Sequence, residues 1–173
     1  MPEPPPAVVF DINVYVDALI GPDSSWPLID QLPPATDNAA ADCLSLAFDA
    51  EDFRLFTSPH ILTNITRLLR KVDVHGPTTE KWINAILDIV DMTGGLVVDP
   101  DRTVFDIGDY EDNLILDLAV AVDAILVVSG DTDLTELPPW QGRIPILRPR
   151  EFVLRTLQAR RHRKKRGGGH LPL

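Results

Sequence analysis

The chain has 173 residues, 45 % of them hydrophobic, which suits one domain around one core. A lone cysteine, Cys43, excludes an intrachain disulfide framework, and the absence of a secretory leader or long apolar run predicts a cytoplasmic protein with no membrane span. The net charge of −10 is uneven: residues 160–166 hold six of the 16 basic residues, so the other ten face 26 acids, a net of −16 over the rest of the chain.

Four prolines among the first six residues read as an extended, flexible leader over 1–6. Ala7-Val8-Val9-Phe10 is an apolar run that stops at Asp11 and reads as a buried strand. A short helix through Val14, Tyr15, Ala18 and Leu19 follows, broken at Gly21-Pro22 and again at Pro33-Pro34. Asp37 is placed to cap a helix over roughly 38–50, with Cys43 as a small core residue. Arg54-Leu55-Phe56-Thr57 reads as a second strand. Ser58-Pro59 then starts a helix to Lys71 with Ile61, Leu62, Ile65, Leu68 and Leu69 on its apolar stripe.

Thr78 or Thr79 opens the next helix, in which Trp82, Ile83, Ile86, Ile89 and Val90 recur at helical spacing up to Gly94-Gly95. Leu96-Val97-Val98 reads as a third strand. Asp109 to Asp112 lead into a helix whose early acids suit the positive end of its dipole. Ala124 to Val128 is the clearest buried strand, ending in Ser129-Gly130-Asp131-Thr132-Asp133. Ile144 to Leu147 is a last strand, set near an edge by Pro145, and Pro149 starts a final helix through Leu157. Strands alternating with helices predict an α/β fold with a parallel sheet covered on both faces, a domain over 7–157 and a basic, Gly-rich tail over 158–173.

Open parallel sheets bind ligands beyond the carboxyl ends of their strands. Asp11 and Asp131 sit at such ends, Asp133 lies two residues on, and Asp112 opens the helix feeding the Asp131 strand. Each alone has a local reading as a cap, turn former or solvated charge. Together they repel unless a cation or shared protons relieve them, and hard, oxygen-seeking Mg²⁺ or Mn²⁺ is the simplest relief. Such a site favours chemistry at phosphate. No Gly-rich phosphate loop, nucleophile elbow or histidine pair at metal-ligand spacing is present.

At these residues the chain resembles the PIN-domain family, above all its VapC-type toxin ribonucleases. The similarity is carried by Val8-Val9-Phe10-Asp11-Ile12-Asn13, Thr57-Ser58-Pro59-His60-Ile61-Leu62-Thr63-Asn64, Asp109-Tyr110-Glu111-Asp112-Asn113, Val127-Val128-Ser129-Gly130-Asp131-Thr132-Asp133 and Ile146-Leu147-Arg148-Pro149. It implies a PIN-like three-layer sandwich with about five parallel strands and a metal-dependent endoribonuclease site. Asp11, Asp112, Asp131 and Asp133 would hold Mg²⁺ or Mn²⁺, with Asn13 and Ser129 orienting ligands from behind. The resemblance also implies an RNA substrate, an antitoxin protein that sets a basic residue into the acidic site, and a homodimer. Two positions depart from the family pattern. Asn64 stands where the family has glutamate, which removes a charge and a proton acceptor but leaves an amide oxygen that can coordinate, so Asn64 stays with Asp11, Asp112, Asp131 and Asp133 among the candidate catalytic residues. Ile12 stands where the family usually has threonine.

Three functions compete on these residues. A toxin-like ribonuclease follows from the acids in place. A catalytically weakened fold that binds RNA or an antitoxin follows from Asn64, and the basic tail is then either a phosphate contact or a solubilising end. A phosphoacceptor receiver would need a lysine near the acids, and only Lys71, Lys81, Lys164 and Lys165 exist. Trp26, Trp82 and Trp140 are candidate interface anchors, with core packing as the plainer reading.

Overall fold

The computed structural model describes residues 3–21 and 36–165. Four short strands, β1 (Ala7–Phe10), β2 (Arg54–Phe56), β3 (Leu126–Val128) and β4 (Ile146–Leu147), form one parallel sheet in the order β2-β1-β3-β4. All but Arg54 of these strand residues are buried, as expected of a parallel sheet with helices on its faces. The helices are α1 (Ile12–Ile20), α2 (Ala39–Phe48), α3 (Pro59–Lys71), α4 (Gly76–Met92), α5 (Tyr110–Ala121), the single turn α6 (Thr132–Thr135) and α7 (Pro149–Lys165). Helices α1, α2, α3, α4 and α7 pack on one another, and α5 packs on β1.

The core is aromatic at its centre. Phe10, Phe53 and Phe152 meet with ring centroids 5.2–5.9 Å apart, two of the three pairs edge-to-face, and Tyr15 lies 6.0 Å from Phe10. Such pairs add about 0.5–1.5 kcal/mol each beyond their burial. Trp82 is fully buried and its indole N–H donates to the Tyr15 carbonyl at 3.1 Å, so it is a core residue, whereas Trp140 is half-buried. Cys43 is buried too. Trp26 and the breaks from Pro22 to Pro34 lie outside the described residues.

Several boundaries differ from the sequence reading, each for a local reason. Asn38, not Asp37, caps α2, its Oδ1 accepting from Ala41 N at 3.0 Å, while its amide also donates to the Asp17 carbonyl. Helix α4 opens at Gly76, ahead of the threonines, because Pro77 is suited to the first helical turn. Leu96-Val97-Val98 makes only a single parallel bridge from Val97 to Thr57 rather than a strand, and the sheet among the described residues has four strands, in keeping with the about five expected. Gly95 presses on β2 just before it: a Cβ there would stand 1.7 Å from the Leu55 carbonyl oxygen, so no other residue fits.

The two ends of the domain are also longer than expected. Backbone N–H and Nε of Arg54 donate to the carbonyls of Pro6 and Pro5, each at 2.8 Å, which ties the end of the Pro-rich leader to β2. Helix α7 continues to Lys165, so residues 158–165 are helix rather than a Gly-rich tail. The reason is electrostatic. Arg160 bonds Asp52 at 2.7 Å and Asp49 at 2.8 Å, and Arg163 also pairs with Asp52, which is 2 % exposed. Two of the six tail cations are thereby held inside the domain. Arg161, His162, Lys164 and Lys165 remain exposed.

Candidate active site

In a sheet of order β2-β1-β3-β4 the connection leaving β1 runs to β2 on one side and the connection leaving β3 runs to β4 on the other. The crevice at that reversal, beyond the ends of β1 and β3, is where such sheets take ligands. Asp11 and Asp131 flank it.

Asp11 ends β1 and caps α1. Its Oδ1 accepts from Ile12 N at 2.6 Å, and its Oδ2 accepts from Ser129 Oγ at 2.7 Å and Asn13 Nδ2 at 2.8 Å. The backbone N–H of Asp131 donates to Ser129 Oγ at 2.9 Å, and that of Gly130 to Asn13 Oδ1 at 2.7 Å. Asn13 and Ser129 thus weld the end of β1 to the turn after β3 and fix both aspartates relative to each other. Asp131 in turn caps α6 through Asp133 N at 2.8 Å, which leaves the Asp133 carboxylate exposed beside it.

Asp112 enters from the first turn of α5, with Asp109 as the cap. It is 9 % exposed, and its carboxylate has no hydrogen bond or ion pair among the described residues. Burial, then the charges of Asp109, Asp131, Asp11 and Asp133, push its pKa up to about 7. Asp11 is also raised, by burial first, against its three hydrogen bonds, with Asp131 adding repulsion. The sequence pointed to Asp11, Asp112, Asp131 and Asp133, and they share one electrostatic neighbourhood. It did not point to Asp109, whose helix-capping role concealed its charge.

No group of three or more acidic, histidine or cysteine side chains among the described residues is drawn together as a metal cage. The donor chemistry nonetheless fits a hard divalent cation: the carboxylates repel one another, and Asp112 has no cationic partner among the described residues.

Asn64 lies on α3, 6 % exposed, and no hydrogen bond joins it to the aspartates. Its amide instead meets the ring nitrogens of His60, one turn earlier, at 2.9 and 3.2 Å. The i to i+4 spacing of His60 and Asn64 was the sequence signal for this contact. His60 is held below its ordinary pKa by burial, with Glu111 opposing and Arg67 and Arg102 adding to the shift, so those three charges are its neighbours.

A family model described as PIN domain matches residues 7–133, well over half of the chain. No curated protein matches it. No helix among the described residues is long and apolar enough to cross a membrane.

Proposed function

The chain belongs to the PIN-domain family, whose members are generally metal-dependent nucleases, and from that premise we propose that it is an endoribonuclease using Mg²⁺ or Mn²⁺. The supporting observation is that Asp11, Asp112, Asp131 and Asp133 share one electrostatic neighbourhood at the β1/β3 reversal, with no cation paired to Asp112 among the described residues. In this reading Asp11, Asp112 and Asp131 hold the metal and Asp133 assists. A bound divalent ion supplies neutralisation of charge on the phosphoryl, attacking and leaving oxygens. Ser129 and Asn13 keep the Asp11 carboxylate aimed by occupying its rear lone pairs, so it need not reorganise when a phosphate arrives. Asn64 carries no charge and takes no proton, so it orients rather than acts as a base.

At a finer level we read the chain as the toxin of a toxin–antitoxin pair of VapC type, acting on RNA and working as a homodimer. The support is the order of the five sequence motifs and an acid cluster that would accept a basic side chain from a partner. Growth arrest on expression, relieved by Asp11→Asn, is the expected result.

The deciding assay is cleavage of a mixed RNA pool with Mn²⁺, Mg²⁺ or chelator. The native chain should cleave only with metal, Asp11→Asn should lose at least ~100-fold, the upper range for loss of even a supporting group, and Asn64→Glu should gain. A second reading, an RNA- or antitoxin-binding module without catalysis, is favoured by the His60–Asn64 contact. It would hold if the native chain leaves all RNA intact with either metal while Asn64→Glu cleaves.

A further inference from the structure

The nine residues from Asp99 to Ile107 carry no helix or strand, yet they are anchored to α5, and Phe105 among them and Tyr110 at the start of α5 present their rings to solvent. Asp117 of α5, 1 % exposed, anchors them: its Oδ1 accepts from Thr103 N, Val104 N and Thr103 Oγ1 at 2.7, 2.7 and 2.9 Å, and its Oδ2 from Arg102 Nε at 3.2 Å. Asn113, from the same helix, bonds both the N–H and the carbonyl of Ile107 at 3.1 and 2.7 Å. The guanidinium of Arg102, pinned by Asp117, lies 4.4 Å from the ring centre of Tyr110 and 5.4 Å from that of Phe105.

The rings are 69 % (Phe105) and 61 % (Tyr110) exposed, among the most exposed large apolar side chains described. Burial of their faces is therefore not what holds them; a buried carboxylate, a cation and two backbone anchors do. An exposed ring held in place by a cation is suited to stacking on a flat, electron-rich partner, because ordering it at binding costs little further entropy. Tyr110 opens α5 two residues before Asp112, and Glu111 between them pairs with Arg67 of α3 at 2.5 Å, so the rings stand at the same end of α5 as the proposed site. From there α3 leads away with a groove of about 520 Å³ lined by Thr63, Thr66, Arg67, Arg70 and Lys71, in which Arg67 is paired with Glu111 while Arg70 and Lys71 have no carboxylate partner among the described residues. In a chain of net charge −10, a groove of that composition next to stacked rings matches a phosphate backbone with its bases turned outward.

We propose that Phe105, Arg102 and Tyr110 form a stacking platform for an unpaired nucleobase next to the scissile phosphate. The inference rests on the nuclease reading and deepens it. A base inside a duplex offers no free face to such rings, whereas a looped-out or unpaired base does.

The test is binding of the full chain carrying Asp11→Asn to a fluorescent unpaired RNA octamer, and to the same octamer annealed to its complement. A second octamer set carries 2-aminopurine at successive positions to report stacking by quenching. The unpaired strand should bind more tightly, and 2-aminopurine should be quenched at one position. Phe105→Ala and Tyr110→Ala should each weaken binding about 5- to 150-fold, the range for one lost base–aromatic stack, and Tyr110→Phe should restore it. Equal affinity for duplex, no binding of the unpaired strand, or ring variants that bind like the parent would overturn the platform. A fall from dimer to monomer in the ring variants with RNA affinity unchanged would do the same and assign the rings to contact between copies. Native cleavage unaffected by the ring substitutions leaves the nuclease reading standing without the platform; ring-dependent binding without any native cleavage does the reverse.

Discussion

The molecule buries two kinds of aspartate. Asp42, Asp52 and Asp117 are each at most 2 % exposed, and each has an arginine: Arg150 at 2.9 Å for Asp42, Arg160 and Arg163 for Asp52, Arg102 for Asp117. Asp42 also takes the backbone and hydroxyl of Thr36, at 2.9 and 2.8 Å. Asp11 and Asp112 at the sheet end are buried nearly as well but face other acids, and both have raised pKa values. The first kind holds distant segments together: α2 to the start of α7, the 49–52 turn to the end of α7, and the 102–104 segment to α5. The second kind is held in place by its surroundings at a cost to the fold. Identical side chains at similar depth thus have opposite effects, decided by whether a cation is supplied by the chain or left to come from outside.

The sharpest way to break this comparison is to remove the charge from each kind in turn. Asp52→Ala strands Arg163 and leaves Arg160 with Asp49 alone, and should cost about 3–5 kcal/mol in urea unfolding, the range for losing one partner of a buried pair. Asp117→Asn should cost about 1–3 kcal/mol, because two backbone N–H groups lose their charged acceptor. An unchanged midpoint in either variant would dissolve the division.

For the second kind the sign reverses. The Asp112 carboxyl has a higher pKa folded than unfolded, so the stability it contributes is full below about pH 4 and is lost as pH rises through about 7. In chelator, Asp112→Asn should therefore melt above the native chain at pH 8, by on the order of 1 kcal/mol after solvent screening, and match it near pH 4. Mn²⁺ should raise the native melting temperature at pH 8 and leave Asp11→Asn nearly unmoved, since only a folded-state ligand shifts the balance. The smallest effect should come from the exposed Arg143–Asp123 pair, where Arg143→Ala should shift stability by less than about 1 kcal/mol.

The aspartates of the proposed site were legible in the sequence as strand and helix ends because their positions follow from local pattern. An apolar run that stops at Asp11, another that stops short of Asp131, and a helix opening at Asp112 all place carboxylates at strand or helix ends without knowledge of the rest of the chain. The scaffold acids were not legible, because the partners that define Asp42 and Asp52 stand 108 residues or more away. The same blindness to distance made the cations near 160–166 read as a tail. Helix interiors were read well, since Ile61, Ile65 and Leu69 or Trp82, Ile86 and Val90 carry a strong period. The failures fell at ends: Asn38 took the cap from Asp37, and Leu96–Val98 stayed a single bridge after Gly95 fixed its approach to β2.

The long-range clamp on Asp52 also has a consequence in time. During synthesis Asp52 is made 111 residues before Arg163, and at about 5–20 residues per second that interval is roughly 6–22 s. Throughout it the carboxylate must stay in water, so the 49–52 turn cannot close over the core and Phe53 lacks Phe152 as its neighbour. The nascent chain thus carries every residue of its acid cluster well before the scaffold that steadies it is finished, and a ribosome stalled short of residue 160 holds a protein whose last fastening has not yet been made.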